Sequence, residues 1–199
     1  VVRFYDRFAP RQIGRFGFIL CTAGLLWLSF VVRNDWSSVP VMLGLIVFGI
    51  GQGALVTLLF NVLVTASPKE LAGDVGSLRG TTNSLAAAVG TAVAGALLVG
   101  MLSTMVVRNL ASNPILTPEL QSQVQLDSIN FVSNDRLESA LAQTDATPEQ
   151  KAEALQVNTD ARLRALKLGL LLMAGLALLS IVPAGWLPAY KPGEVPDPR

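Results

Sequence analysis

Histidine is absent from this sequence of 199 residues, and cysteine occurs once, at Cys21. Without histidine the commonest proton shuttle and metal ligand is gone. A single cysteine excludes an internal disulfide or a thiolate metal framework. Charge is scarce: 15% of residues are Asp, Glu, Lys or Arg, against about a quarter in a soluble domain. A net charge of +1 offers no basic surface for nucleic acid. The charged residues are also missing in blocks. None occurs between Arg15 and Arg33, Asp35 and Lys69, Arg79 and Arg108, or Lys167 and Lys191. These blocks hold no carboxylate pair and no nucleophile with a neighbouring base, so an enzyme is not expected, nor a cofactor or metal.

What fills the blocks is apolar, with 51% hydrophobic residues overall and a mean hydropathy of +0.51. A helix needs about 20 apolar residues to cross the hydrocarbon core, and each block supplies a crossing. They are expected at 14–33, 39–66, 80–107 and 165–188. The first is too long and too rich in Gly and aromatics for a signal peptide, and no small-residue cleavage pattern closes it. With no initiator Met, the chain reads as the C-terminal part of a longer polytopic protein.

Arg3, Arg7, Arg11 and Arg15 precede the first crossing and Arg33 alone follows it. The positive-inside rule then makes residues 1–15 a cytoplasmic loop. Four crossings return the Pro-rich tail, 189–199, to the same side. Arg162, Arg164 and Lys167 oppose this at the last crossing, but the rule weakens beside long loops. Trp36, Trp186 and Tyr190 fall at the expected membrane boundaries, whereas Trp27 lies deeper and is read as packing.

Residues 108–164 form a polar external segment, either a folded helical lid or a solvated spacer. Thr117 with Pro118 is a candidate helix start. SNDRLESALAQ is a short amphipathic helix candidate. Thr147 with Gln150 has the pattern of a capping box, from which a helix would run straight into the membrane.

The crossings differ in composition. The first and fourth are rich in Leu and Phe, as helices facing lipid should be. The second and third are rich in small and polar residues and are expected inside. Along the third, Gly80, Ser84, Ala88, Ala92, Ala96 and Gly100 form a small ridge at i+4 spacing, beside a bulky ridge that starts at Leu85 and Val89. Small ridges let helices approach closely in lipid. In the second, Gly53, Thr57, Asn61 and Thr65 share one face, and Gln52 lies away from most of it. Gln52, Thr57 and Asn61 are either interhelical hydrogen-bond donors or the lining of a polar cavity. Gly44, Gly49, Gly51 and Gly53 either flex the helix or pack it, and packing is the expectation. No Asp or Glu lies within a crossing, so carboxylates for ion coupling are not found in this portion.

Two stretches resemble a known family. FYDRFAPR is similar to the cytoplasmic loop signature of the major facilitator superfamily, with Asp6, Arg7 and Arg11 matching; Val2, Ala9 and Pro10 stand where Gly, Gly and Arg are expected. SPKELAGDVGSLRGTTNSLAAAVGTAVAGALL resembles the loop and helix of its drug:proton antiporter branch with fourteen crossings, through Pro68, Glu70, Ala72, Gly73, Gly76, Gly90 and Gly95. That branch also carries a long external loop before its final helix. The resemblance implies an all-α polytopic membrane protein. The chain would be the C-terminal four transmembrane helices of a major-facilitator-type fold with a helical external loop.

The same resemblance implies a secondary active exporter of small organic compounds, coupled to protons, in a bacterial inner or plasma membrane. Gln52, Thr57 and Asn61 become candidates for the substrate cavity. Asp6, Arg7 and Arg11 would latch a cytoplasmic gate, with Asp74 and Arg79 pairing across the cytoplasmic face; an ordinary positive-inside loop is the plainer alternative. Gly80, Ser84, Ala88, Gly90, Gly95 and Gly100 would serve helix packing. The expected partners are the bilayer, the N-terminal remainder of the same transporter, the substrate, protons and a periplasmic adaptor protein. The alternative function is a four-crossing membrane scaffold whose external loop binds a partner protein.

Overall fold

The structure, a computed structural model, describes residues 8–33, 38–65, 72–111, 134–144 and 146–189. The expected features at Asp6, Arg7, Trp36, Pro68, Lys69, Glu70, Thr117, Pro118 and Tyr190 lie outside the described residues. Among the described residues every regular element is helical: α1 Pro10–Val31, α2 Val39–Thr65, α3 Ala72–Ala111, α4 Asn134–Ala142, α5 Pro148–Leu179 and α6 Ile181–Ala184. Among the described residues, four helical segments are long and apolar enough to cross a membrane. The architecture is therefore the all-α, multi-pass one.

At about 1.5 Å per residue, the 22 residues of α1 and 27 of α2 fit a bilayer with some tilt. The 40 residues of α3 reach about 60 Å and the 32 of α5 about 48 Å. Both outrun a hydrocarbon core of about 30 Å. Helical hydrogen bonding continues past the charge-free blocks, so these two helices are longer than the 80–107 and 165–188 expected from charge alone.

The chain divides into two compact units, Val1–Gly90 with Leu170–Arg199, and Thr91–Gly169. In the first, α1 and α2 form an antiparallel hairpin. The first helix packs one face on α2, while Phe16, Ile19 and Phe30 on its other side are exposed. Gly14, Gly17, Cys21, Gly24 and Leu28 are buried along one stripe, at alternating spacings of three and four. Gly44, Phe48, Gly51, Leu55 and Leu58 repeat that spacing on α2. Facing pairs are Gly14 with Leu58, Gly17 with Leu55, Cys21 with Gly51, Gly24 with Phe48 and Leu28 with Gly44. Their residue numbers have a constant sum, which is an antiparallel register without a slip. This is the knobs-into-holes repeat, with glycine letting the backbones meet.

At the end of α1, Trp27 Nε1 donates to the carbonyl oxygen of Pro40 at 2.9 Å, tying the two helices across the connecting turn. At its start, Pro10 takes the first helical position and Gln12 Oε1 accepts from the Ala9 amide at 3.3 Å.

The last crossing does not run unbroken to 188. Regular helix stops at Leu179, four residues before Pro183, whose ring clashes with that carbonyl and which has no N–H to donate to it. Ser180 then leads into the single turn of α6. Both Ala184 and Leu187 lie against Gly14. The end of the last crossing therefore sits beside the start of the first.

The second unit contains a helical hairpin, so its described part is folded helix rather than a solvated spacer. Thr147 and Gln150 form both halves of the capping box, amide Thr147 to Gln150 Oε1 at 3.0 Å and amide Gln150 to Thr147 Oγ1 at 3.3 Å. Leu137 and Leu141 of α4 are buried, as are Ala154, Asn158, Ala161 and Ala165 along one stripe of α5. Asn158 Nδ2 donates to Asn134 Oδ1 at 2.8 Å, and Asn134 Nδ2 donates to Thr159 Oγ1 at 2.9 Å. The amide of Asn158, 3% exposed, is thus satisfied within the hairpin. Further along, Leu98 of α3 reaches Gly169 of α5 closely enough that a Cβ there would stand 2.7 Å from it.

Candidate functional site

The packed stripe of α2 fixes which of its faces remain free. Successive residues turn by about 100°, so Gly53 and Phe60, seven apart, point the same way to within about 20°. That direction is opposite the stripe occupied by α1. Thr57 stands between them in height, about 60° round from Phe60, and Asn61 lies about 40° beyond Thr57. Gly53 is exposed and a Cβ added to it meets nothing within 4 Å. Thr57 and Asn61 are half-buried, and Phe60 is 44% exposed.

The structure thus brings Thr57 and Asn61 onto adjoining parts of one free wall. Gln52 does not join them. It is exposed, and nine residues from Asn61 place it about half a turn away. The Thr57 hydroxyl donates to the carbonyl oxygen of Gly53 at 2.8 Å. Its donor is satisfied within the helix, while its oxygen can still accept from a ligand.

Gly49 and Gly53 have open space around them, whereas Gly44 lies against the Leu28 and Trp27 side chains of α1 and Gly51 against its backbone. The glycine cluster therefore serves two faces: one pair packs and the other keeps the free wall low.

Arg79 supplies the charge nearest this wall. Its guanidinium carbon lies 4.8 Å from the centre of the Phe60 ring, a cation–π arrangement. Asp74 and Arg79 do not pair with each other. Five residues along one helix place the two about 140° apart, Asp74 is exposed, and no ion pair joins them among the described residues. Phe60 was not anticipated as a site residue. Its signal was the spacing i+7 from Gly53 and i+3 from Thr57, a face otherwise read for its polar members alone.

Arg11 is exposed in the first turn of α1, and Arg15 lies against the end of α6, where a Cβ on Gly185 would stand 2.7 Å from its Nη2. Ser84 and Ala88 are exposed. A Cβ added at Gly80, Gly90, Gly95 or Gly100 meets nothing within 4 Å. Among the described residues no group of three or more His, Cys, Asp or Glu could hold a metal.

The sequence model described as Major Facilitator Superfamily matches residues 1–110, which include α1, α2 and nearly all of α3. Neither a curated protein nor a solved structure matches the chain significantly.

Proposed function

The chain belongs to the Major Facilitator Superfamily, and from that membership, which makes it part of a membrane transporter, we propose an exporter of small organic compounds of the drug:proton antiporter branch. The observation that carries the reading is the free wall of α2. It bears Thr57 and Asn61, is kept low by Gly49 and Gly53, and faces away from the α1 stripe. Polar side chains at membrane depth belong against protein or a water-filled cavity, and in alternating access such a wall lies at the midplane between two bundles. The cargo would therefore rest on Thr57 and Asn61, with Gln52 reaching it only from the flank.

In this reading Gly80, Ser84, Ala88, Gly90, Gly95 and Gly100 serve close helix packing of α3, and the parent has fourteen crossings. Asp6, Arg7, Arg11, Asp74 and Arg79 belong to a cytoplasmic gate, whose charges would stabilise one of the two alternating states. Both ends of the chain face the cytoplasm of a bacterial cell. The α4–α5 hairpin projects outside, where a periplasmic adaptor protein is its expected partner. The apolar blocks hold no Asp or Glu, so they supply no carboxylate on which coupling protons would move. The scaffold alternative is the weaker one, since family membership favours transport.

Asn61→Leu in the full-length transporter tests the wall. Efflux from cells should change in rate or in preference across a panel of amphiphilic dyes, with membrane expression retained. Unaltered efflux of every dye would remove Asn61 from the cargo path.

A further inference from the structure

We infer that Arg79, held over the Phe60 ring, selects the charge of the cargo, favouring amphiphilic organic anions over cations of the same size. The inference rests on the reading that the free wall of α2 lines the cargo path.

A guanidinium within a span-forming helix needs a partner, and the nature of that partner decides what charge it presents. A carboxylate would cancel it. An aromatic face holds the cation through its quadrupole and leaves the formal charge in place. Among the described residues Arg79 has the Phe60 ring as partner and no carboxylate. The nearby Asp74 projects from another side of the same helix, and α2 contributes no acid at all, since the sequence from Trp36 to Pro68 is free of charge.

Phe60 also determines where that charge stands. It occupies the same direction as Gly53 and lies three residues, about 4.5 Å along the axis, from Thr57. A compound resting on Thr57 would meet an uncancelled positive charge at its cytoplasmic end. Low-dielectric walls strengthen such a field over its value in water. A flat apolar body with a sulfonate or carboxylate complements this wall: its ring system fits the low surface at Gly49 and Gly53, and its anion reaches toward Arg79.

The test uses the purified full-length transporter in phosphatidylcholine nanodiscs. Two fluorescent probes are titrated, 8-anilinonaphthalene-1-sulfonate as the anion and ethidium as the cation. The wild type should bind the sulfonate more tightly. Arg79→Gln should weaken sulfonate binding by about five- to tenfold and strengthen ethidium binding, as expected for loss of one nearby charge. Arg79→Lys should keep the preference for the anion, and Phe60→Leu should blur it by releasing the guanidinium. A charge preference unchanged in Arg79→Gln, a wild type that prefers ethidium, or one that binds neither probe would overturn the inference. Displacement of the sulfonate by added phosphatidylglycerol would also overturn it, by making a lipid headgroup the occupant. Asn61→Leu and Thr57→Val separate the two levels. If they weaken the sulfonate while Arg79→Gln leaves the preference intact, only the role of Arg79 falls. If they too are without effect, the wall itself is not the cargo site.

Discussion

Gly24 lies so close over Phe48 that a methyl group on it would stand 2.8 Å from the Phe48 amide nitrogen and 3.0 Å from its Cα. Gly51 repeats the relationship from the other helix, 2.8 Å from the Gly17 carbonyl oxygen and 2.9 Å from the Cys21 amide nitrogen. In both cases the obstacle is backbone, which cannot swing aside as a side-chain tip can. The α1–α2 hairpin is therefore held at a separation that only glycine permits. Gly24→Ala and Gly51→Ala should each destabilise the purified protein by about 1–3 kcal/mol, the usual cost of overpacking. Gly49→Ala and Gly53→Ala should be neutral or stabilising by up to about 1 kcal/mol, because alanine favours the helix and nothing stands in its way. Thermal unfolding in detergent distinguishes the pairs; equal effects at all four positions would contradict the packed stripe.

The contrast between these glycines also shows what sequence reading captures. Four crossings were legible because each charge-free block exceeds the hydrocarbon thickness, a constraint that needs no tertiary knowledge. The Thr147–Gln150 box was legible because both partners lie within one turn. The packed face of α1 was missed for a physical reason. Averaged composition made the helix look like Leu and Phe for lipid, while Gly14, Gly17, Cys21, Gly24 and Leu28 carry the contact by their spacing. At the candidate site, Thr57 and Asn61 were legible as polar atoms at membrane depth. Arg79 over Phe60 was not, since that pairing depends on how two different helices approach each other.

Trp27 is 49% exposed, yet its indole N–H is committed to the Pro40 carbonyl oxygen. Trp27→Phe retains an aromatic ring and removes only that bond. A loss of about 0.5–1.5 kcal/mol is expected, and amide exchange in the first turns of α2 should quicken because the turn is no longer pinned. Unchanged exchange at residues 41–44 would show that the bond does not restrain the helix.

The amide of Asn158 is buried and both donates to Asn134 and stands beside the Asn134–Thr159 bond. Removing one partner leaves a buried polar group unsatisfied, at a cost of about 1–3 kcal/mol. Asn134→Ala should therefore loosen the α4–α5 hairpin more than the paired change Asn134→Ala with Asn158→Leu, in which both polar groups are gone. Limited proteolysis between α4 and α5 reads this directly. Additive damage from the two substitutions would mean that the amides are not coupled.

Gly14 meets Ala184 and Leu187, so the start of α1 and the end of α5–α6 must open on one membrane face. Single cysteines at Gln12 and at Trp186, each in a Cys21→Ala background, should then react with a membrane-impermeant maleimide from the same side. In the proposed orientation, with the arginines of the first loop in the cytoplasm, that side would be the inner one. Labelling should be strong in inverted vesicles and absent in intact cells for both positions. Reaction of one from inside and the other from outside would break the contact between Gly14 and Leu187. Reaction of both from outside would keep the contact and invert the protein, taking Arg79 and its Phe60 partner away from the cytoplasmic mouth.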